Sequence, residues 1–512
     1  MKHKLFKKSD VKIGALLLAV AGLLSHLLGV GRDIALSHFF GASEATDAYG
    51  TAFLFPDLIF NLVIASTLTG VFLPVFSKEV NKNKEKAEKM AGAFITFTFL
   101  LALTLCTLMY FLIPFIVTFF YADFSPEKSL MTIELSRILL LSPLLFLWGN
   151  FLGSVLLSQK HFFSYAFSPV LYNLGIILGI VFFYEKSGIY AAAYGVLIGL
   201  LFYVALRVFD FFSLDISPKL NLEISRIKDI FRLAAPRALS LFLFHINFWV
   251  YAALSSGLAE GSFAVFNFAR NIETFPVSIF GVSIATASLP FLSDFFAKNK
   301  LKEFALRVEK AAGQILFFAI PSSVGIACLS QLIVDILFCH GEFDSQAALA
   351  TSQILLFLAI SIPFESLGHI FAQSFYAQGN TIKPLLSSAV LTASSICLSV
   401  ILSRSIGSVA FGISFSVAVV FKVVLLGFLL RKKVNFSLKK IFLSGAKIYL
   451  LSALMAAFLL PLVNWISPEL SLTSKIFFLV VLVASGGAIY LVLSFISGKE
   501  NGIFRRYFPG KK

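Results

Sequence analysis

Long apolar stretches follow one another along the whole sequence, and short segments that carry most of the charge separate them. Apolar residues make up 58% of the 512 residues and charged residues only 13%, whereas a soluble domain carries roughly 25% charged residues. A water-soluble protein of this size would need more charged residues on its surface. The chain must therefore fold with lipid as its solvent. The net charge of +15 would suit nucleic-acid binding, but Lys and Arg gather between the apolar stretches, as in membrane proteins. We expect a lipid bilayer and no nucleic acid as partner.

Fourteen of the apolar stretches are long enough to cross a bilayer as helices. They comprise residues 13–40, 48–76, 91–121, 130–157, 164–184, 188–209, 232–256, 263–296, 311–338, 346–376, 383–403, 408–430, 443–464 and 474–497. Pro and Gly interrupt several of them, which membrane helices tolerate when neighbouring groups supply the lost hydrogen bonds. The pattern predicts an all-α polytopic membrane protein of about 14 transmembrane helices.

Basic residues are distributed unevenly between alternate connecting segments, and this asymmetry orients a membrane protein. The Lys- and Arg-rich segments are the N-terminus, residues 78–89, 298–310 and 431–440, and the C-terminal tail. The opposite segments hold little beyond Lys128, Lys186, Arg404 and Lys475. The asymmetry predicts that both termini lie on the cytoplasmic side.

A motif in the first half of the chain recurs in the second half. Leu73-Pro74 and Lys82-Asn83-Lys84 return 216 residues later as Leu289-Pro290 and Lys298-Asn299-Lys300. Parallel repeats of this kind form two bundles related by a pseudo-two-fold axis along the membrane normal, with a substrate path between them. We therefore expect a six-helix bundle over residues 1–212, a second over 213–430, and two additional helices with a basic tail over 431–512.

Charged residues inside the apolar stretches are the candidates for function, because a charge at a helix centre costs about 2.5–3.5 kcal/mol on insertion scales. These residues are His26, Arg32, Asp33, Asp47, Asp57, Glu134, Arg137, Arg270, Glu273, Glu365 and His369. Arg270 and Glu273 are three residues apart and share a helix face. Such a pair serves either a substrate path or the packing of helices, and for Arg32 we favour a substrate path.

Catalytic motifs are absent from the sequence, which has no Walker A loop, nucleophile elbow, HExxH motif or zinc-ligand spacing. We therefore expect a transporter and not an enzyme, with no metal ion or other cofactor. A membrane-embedded glycosyl- or acyltransferase would need catalytic Asp or His groups at a membrane surface. The longest loops, residues 210–231 and 431–442, lack such a pair.

Short motifs punctuate the apolar stretches. They are Leu28-Gly29-Val30-Gly31-Arg32-Asp33, Phe40-Gly41-Ala42, Thr46-Asp47-Ala48-Tyr49, Phe55-Pro56-Asp57, Pro236-Arg237, Phe280-Gly281-Val282 and Gly341-Glu342-Phe343-Asp344. Over most of residues 13–430 this series resembles the MurJ (MviN) lipid II flippases of the multidrug/oligosaccharidyl-lipid/polysaccharide exporter superfamily. The resemblance implies a bacterial inner-membrane flippase that moves undecaprenyl-pyrophosphate disaccharide-pentapeptide to the outer leaflet by alternating access. Its partners would be this lipid-linked pyrophosphate and cell-wall synthesis proteins.

The resemblance also implies a cavity lined by arginines, whose planar guanidinium groups suit a pyrophosphate. The substrate-binding candidates that it indicates are Arg32, Arg270, Asp47, His26 and Glu273. His26 stands where the family usually has an arginine, and Phe60-Asn61 replace a pair of arginines. Ser395 and Ser399 stand where some members carry Asn and Asp that bind sodium, so we expect weak or absent sodium dependence.

Two alternative transport functions remain open from the sequence. A flippase for another lipid-linked oligosaccharide would use the same arginines, because lipid pyrophosphates present the same anion. An exporter of small cationic drugs should carry more carboxylates than arginines in its cavity, and Arg32 and Arg270 argue against it.

Overall fold

A computed structural model describes residues 11–68, 72–214, 216, 228–467 and 470–497 of the chain. Over these residues the chain is helical and has no β-strand. Fourteen of its helical segments are long and apolar enough to cross a membrane, which confirms the predicted number of spans. The basic N-terminal segment and the C-terminal tail, on which the predicted orientation partly depends, lie outside the described residues.

The chain divides into two compact units between Ala264 and Val265. The helices of the first unit are α1 (Val11–Phe40), α2 (Glu44–Ile59), α3 (Leu73–Val80), α4 (Lys84–Phe120), α5 (Pro126–Leu139), α6 (Ser142–Ser158), α7 (Phe163–Ser187), α8 (Tyr190–Phe211) and α9 (Lys228–Ser255). The second unit takes up most of α10 (Ser262–Pro276) and contains α11 (Ser283–Ala297), α12 (Leu301–Leu337), α13 (Ser345–Tyr376), α14 (Ile382–Ile406), α15 (Val409–Val434), α16 (Leu438–Asn464) and α17 (Leu472–Ile496). The first unit thus includes the seventh span, and the boundaries at 212 and 430 stay a prediction.

Helices of equal length recur along the chain, close to the spacing of the sequence repeat. Both α4 and α12 have 37 residues, and both α7 and α14 have 25. Gly188 and Gly407 end α7 and α14 with φ angles of 53° and 60°, a conformation that glycine adopts without strain. Two π-helical segments, Phe60–Ala65 and Val277–Val282, precede the two Leu-Pro motifs. The repeat therefore extends beyond the two motifs to whole helices.

Large aromatic side chains are exposed along α4. Phe111, Phe115 and Phe119 are 70%, 67% and 68% exposed. Burying such a side chain away from water contributes about 1.5–3 kcal/mol, so a water-soluble protein would lose stability by exposing a row of them. Acyl chains remove this penalty, and the surface of α4 therefore fits a lipid environment.

Four glycines form the crossing of α7 and α8. Gly175 and Gly179 on α7 lie against Gly199 and Gly195 on α8, and a Cβ added to Gly179 would lie 2.3 Å from the Cα of Gly195. Small residues at a spacing of four let membrane helices approach closely. Because α7 also packs on α1, this crossing supports the helix that carries the first candidate arginine.

We expect Gly179→Ala to lower the free energy of unfolding by about 1–3 kcal/mol, because the two backbones must separate to admit the methyl group. Gly22→Ala on α1 is the matched control, since no atom lies within 4 Å of an added Cβ there and alanine favours the helix. The measurement is the melting temperature of both purified variants in detergent. A Gly179→Ala variant with the same melting temperature as the wild type would contradict the close crossing of α7 and α8.

Candidate functional site

Arg32 on α1 has a guanidinium group with one edge occupied. Its Nε and Nη2 atoms donate to Oδ1 of Asp33 at 3.0 and 2.7 Å, and its side chain is 26% exposed. Among the residues that the structure describes, Asp33 is the only hydrogen-bond partner of this guanidinium group. Because a guanidinium group has five N–H donors, most of them remain available to an anion.

Side chains from two neighbouring helices surround Arg32. Tyr49 and Asp57 on α2 and Tyr172 on α7 interact with it electrostatically. We call these side chains, together with Arg32 and Asp33, the Arg32 cluster. It combines one guanidinium group, two carboxyl groups and two phenol groups at the packing of α1 against α2 and α7.

Asp47 on α2 is fully buried, and its carboxylate caps the N-terminus of α10. Oδ2 accepts hydrogen bonds from Nζ of Lys128 at 2.8 Å and from the N–H of Gly261 at 3.1 Å, and Oδ1 accepts one from the N–H of Ala264 at 2.8 Å. Lys128, which we expected in a connecting segment, is buried on α5 with its Nζ 4.3 Å from the ring centre of Phe124. A carboxylate at a helix N-terminus stabilises the helix. Both oxygens are thus engaged within the protein, and a role of Asp47 in substrate binding stays a prediction.

Arg270 on α10 lies between two carboxylates. Its Nη1 and Nη2 atoms donate to Glu365 on α13 at 3.1 and 3.0 Å, and Nη1 also donates to Glu273. Glu273 is fully buried and accepts a further hydrogen bond of 2.8 Å from Ser361. The guanidinium group lies 4.4 Å from the ring centre of Phe415 and its side chain is only 9% exposed. Its charge is therefore already compensated within the protein.

Lys422 on α15 and His369 on α13 lie close to Glu365 and interact with it electrostatically. We call Arg270, Glu273, Glu365, His369 and Lys422 the Arg270 cluster. Lys422 is not among the candidates predicted from the sequence, although it is the only charged residue in the apolar stretch 408–430. A lone lysine inside a spanning helix was the available indication of this site.

The replacements of the family's usual arginines carry no fixed charge. His26 is exposed on α1, and it is not among the described residues that interact electrostatically with Arg32. The ring of Phe60 packs against Phe146 with centres 5.2 Å apart, and Asn61 donates to the backbone carbonyl of Asp57. Of the positions that replace arginines, only His26 can acquire a positive charge.

Glu134, Arg137 and Ser399 contact residues outside the two clusters. Glu134 accepts a hydrogen bond from Tyr190, while the guanidinium group of Arg137 lies 4.5 Å from the ring centre of Tyr110. The hydroxyl of Ser399 donates to a carbonyl of its own helix. Within the described ranges, no group of three or more His, Cys, Asp or Glu side chains is placed to hold a metal ion.

An apolar cavity of about 480 Å³ lies in the second unit, between the Phe275–Phe280 region, α12, α16 and α17. Phe280, Phe318 and Leu459 contribute to its walls. Methyl groups added to the lining glycines Gly325 and Gly487 would meet no atom within 4 Å, so these glycines leave the space open. Its lining suits a hydrocarbon group and not a charged one.

Comparisons with known proteins agree on one family. The model of the lipid II flippase MurJ family matches residues 36–484. The lipid II flippase MurJ of Thermosipho africanus (strain TCF52B) is 28% identical over 98% of this chain and 100% of its own length, and the probable lipid II flippase MurJ of Aquifex aeolicus (strain VF5) is 30% identical over 77% and 76%. The solved structure of a lipid II flippase MurJ in an inward closed conformation matches with a TM-score of 0.78 and 27% identity, over 94% of this chain and 98% of that one. An inward-facing multidrug resistance MATE family transporter, with a TM-score of 0.67 and 17% identity, shares the fold.

Proposed function

This chain belongs to the MurJ family of lipid II flippases, and we propose that it carries lipid II from the inner to the outer leaflet of the inner membrane by alternating access. It is a multi-pass membrane transporter and not an enzyme. Lipid II joins a disaccharide-pentapeptide to an undecaprenyl chain through a pyrophosphate. The protein must therefore receive an anion while the polyprenyl chain stays in apolar surroundings. The flipped lipid would then pass to cell-wall synthesis proteins.

The available donors of Arg32 carry this proposal. Asp33 holds the guanidinium group through Nε and Nη2 and leaves Nη1 free of partners among the described residues. Guanidinium groups bind phosphate oxygens with two parallel hydrogen bonds, and these charge-assisted bonds are about twice as strong as neutral ones. We assign Arg32 as the first receptor of the pyrophosphate.

The apolar cavity of the second unit suits the polyprenyl tail. The tail would exchange the apolar bilayer interior for an apolar wall, so the cavity would hold it by packing and not by removing it from water. Gly486 and Gly487 on α17 contribute to the lining without adding side chains to it. The head group and the tail would thus be bound by separate surfaces.

Proteoliposomes that contain the purified protein test the proposed function. Lipid II placed in the inner leaflet should become accessible to a peptidoglycan glycosyltransferase added outside, and empty liposomes should show no such conversion. In cells depleted of their own flippase, expression of this chain should prevent accumulation of lipid II. Accumulation of a different lipid-linked oligosaccharide on loss of this chain would show that its substrate is not lipid II.

We place both chain termini on the cytoplasmic side, on the basis of the uneven distribution of lysine. The exposed residues Lys300 and Asp123 lie in connecting segments on opposite predicted sides. In a variant without the four native cysteines, Asp123→Cys should react with a membrane-impermeant maleimide in intact cells. Lys300→Cys should react only after permeabilisation, and its labelling in intact cells would reverse the orientation.

A further inference from the structure

The Arg270 cluster is electrically balanced. It contains two carboxylates, Glu273 and Glu365, and two cations, Arg270 and Lys422, so with His369 neutral the formal charges cancel. The pyrophosphate of a lipid-linked sugar is a diester with two negative charges. Adding such an anion to a balanced cluster leaves excess negative charge in surroundings where charges interact strongly. A positive charge must therefore arrive with the substrate.

Glu365 occupies the guanidinium edge that a phosphate would use. Both Nη atoms of Arg270 donate to its two carboxylate oxygens at 3.1 and 3.0 Å. Glu273 is fully buried and tied to Ser361, whereas the side chain of Glu365 is 15% exposed and comes from another helix. Glu365 is therefore the carboxylate that an arriving phosphate can displace.

Two charged groups on α12, which packs against α13, are engaged elsewhere. Arg307 on α12 donates to Ser288 at 3.2 Å, and Glu309 on α12 accepts from the N–H of Ser437 at 2.8 Å. The charged residues of α14 lie near its two ends. In the described part of the chain, the titratable groups that interact with Glu365 are Arg270, His369 and Lys422.

We propose that Glu365 takes up a proton when Arg270 exchanges this carboxylate for a phosphate of the lipid-linked pyrophosphate. The exchange breaks the Arg270–Glu365 hydrogen bonds and forms hydrogen bonds from Arg270 to phosphate oxygens. One proton moves from water to the Glu365 carboxylate, and no electrons are transferred. This proposal rests on the proposed flippase function and names a coupling ion for it. By reciprocity, a proton that strengthens substrate binding is itself bound more tightly when substrate is present.

Calorimetric titration with a short-prenyl lipid II analogue tests the linkage, because its diester pyrophosphate does not titrate near neutral pH. One linked proton changes Kd about tenfold per pH unit, with tighter binding at lower pH. Titrations in two buffers of different ionisation enthalpy should show about one proton taken up per ligand bound. Glu365→Gln should bind with little pH dependence and no proton uptake. Glu342→Gln, at an exposed glutamate outside the cluster, should behave as the wild type.

Wild-type proton uptake in Glu365→Gln would overturn the proposal, and so would wild-type binding that is independent of pH. Infrared difference spectra of the ligand-free protein provide a measurement that needs no lipid II. The other carboxylates of the chain also give C=O bands on acidification, so the informative signal is a carboxyl C=O band that the wild type and Glu342→Gln share and that Glu365→Gln lacks. Absence of this band from the wild type overturns the proposal. If the band is present but the analogue does not bind, the result would count against the flippase function and would still support the proton site.

Discussion

Arg32→Ala is expected to abolish rescue of a flippase-depleted strain while the protein still inserts and folds. The substitution removes the guanidinium group of the Arg32 cluster, whose remaining N–H donors are available to bind a phosphate. Hydrogen bonds to charged groups contribute about 1.5–3 kcal/mol each, so binding of a short-prenyl lipid II analogue should weaken at least tenfold. Asp33 is buried and loses its counter-charge in this variant, which lowers stability, so the amount of folded protein has to be measured beside transport. Arg32→Ala combined with Asp33→Asn removes both charges and separates the loss of binding from the loss of stability.

Arg32→Lys separates charge from geometry at the same position. Lysine keeps the positive charge but loses the planar pair of donors, so transport should recover in part. The amount of membrane-inserted protein and its elution profile in detergent show whether each variant is folded. Full transport by well-folded Arg32→Ala would remove Arg32 from the substrate site.

The number of spanning helices could be predicted from the sequence because each membrane helix satisfies its own backbone hydrogen bonds. Each span then appears as one long, mostly apolar stretch, whatever its neighbours are. The repeat was visible for a similar reason, since the Leu73-Pro74 and Leu289-Pro290 motifs follow π-helical segments that each lie within a single span.

The partners of the charged residues could not be predicted, because they depend on how each helix is rotated about its axis. The spacing of Arg270 and Glu273 predicted their shared face correctly, since both belong to one helix. The contact of Arg270 with Glu365 joins two helices through residues that are 95 positions apart in sequence. Hydropathy places such residues in the membrane but does not determine which of them face each other.

The partners of Asp47, a residue assigned to the substrate site by resemblance, could not be predicted from the sequence either. Its motif indicated a substrate-binding position, and the structure engages both of its oxygens with Lys128 and the backbone of Gly261 and Ala264. A Cβ added to Gly261 would lie 2.2 Å from the carbonyl oxygen of Ala42, so the backbone there has to be close to the start of α2. Only the packed structure shows this close approach.

Lys128→Met is expected to destabilise the first unit strongly, because it leaves the Asp47 carboxylate buried without its counter-charge. Removing one partner of a buried ion pair costs about 3–5 kcal/mol. Lys186→Met, at an exposed lysine of the same unit, is the matched control and should change stability by less than about 0.5 kcal/mol. The melting temperature of the purified variants in detergent measures both effects, and equal melting of Lys128→Met and the control would contradict the ion pair.

The double variant Asp47→Asn with Lys128→Met decides whether Asp47 also serves the substrate. It removes both buried charges together. Oδ1 of asparagine can still accept the N–H of Ala264, while the hydrogen bond from the N–H of Gly261 to Oδ2 is lost. Replacing both partners of a buried pair is often close to neutral, so most of the lost stability should return. If Asp47 only caps α10, transport should return along with stability. A double variant that melts near the wild type but fails to move lipid II in proteoliposomes would place the Asp47 carboxylate in the transport mechanism, since its charge would then be needed for something other than folding.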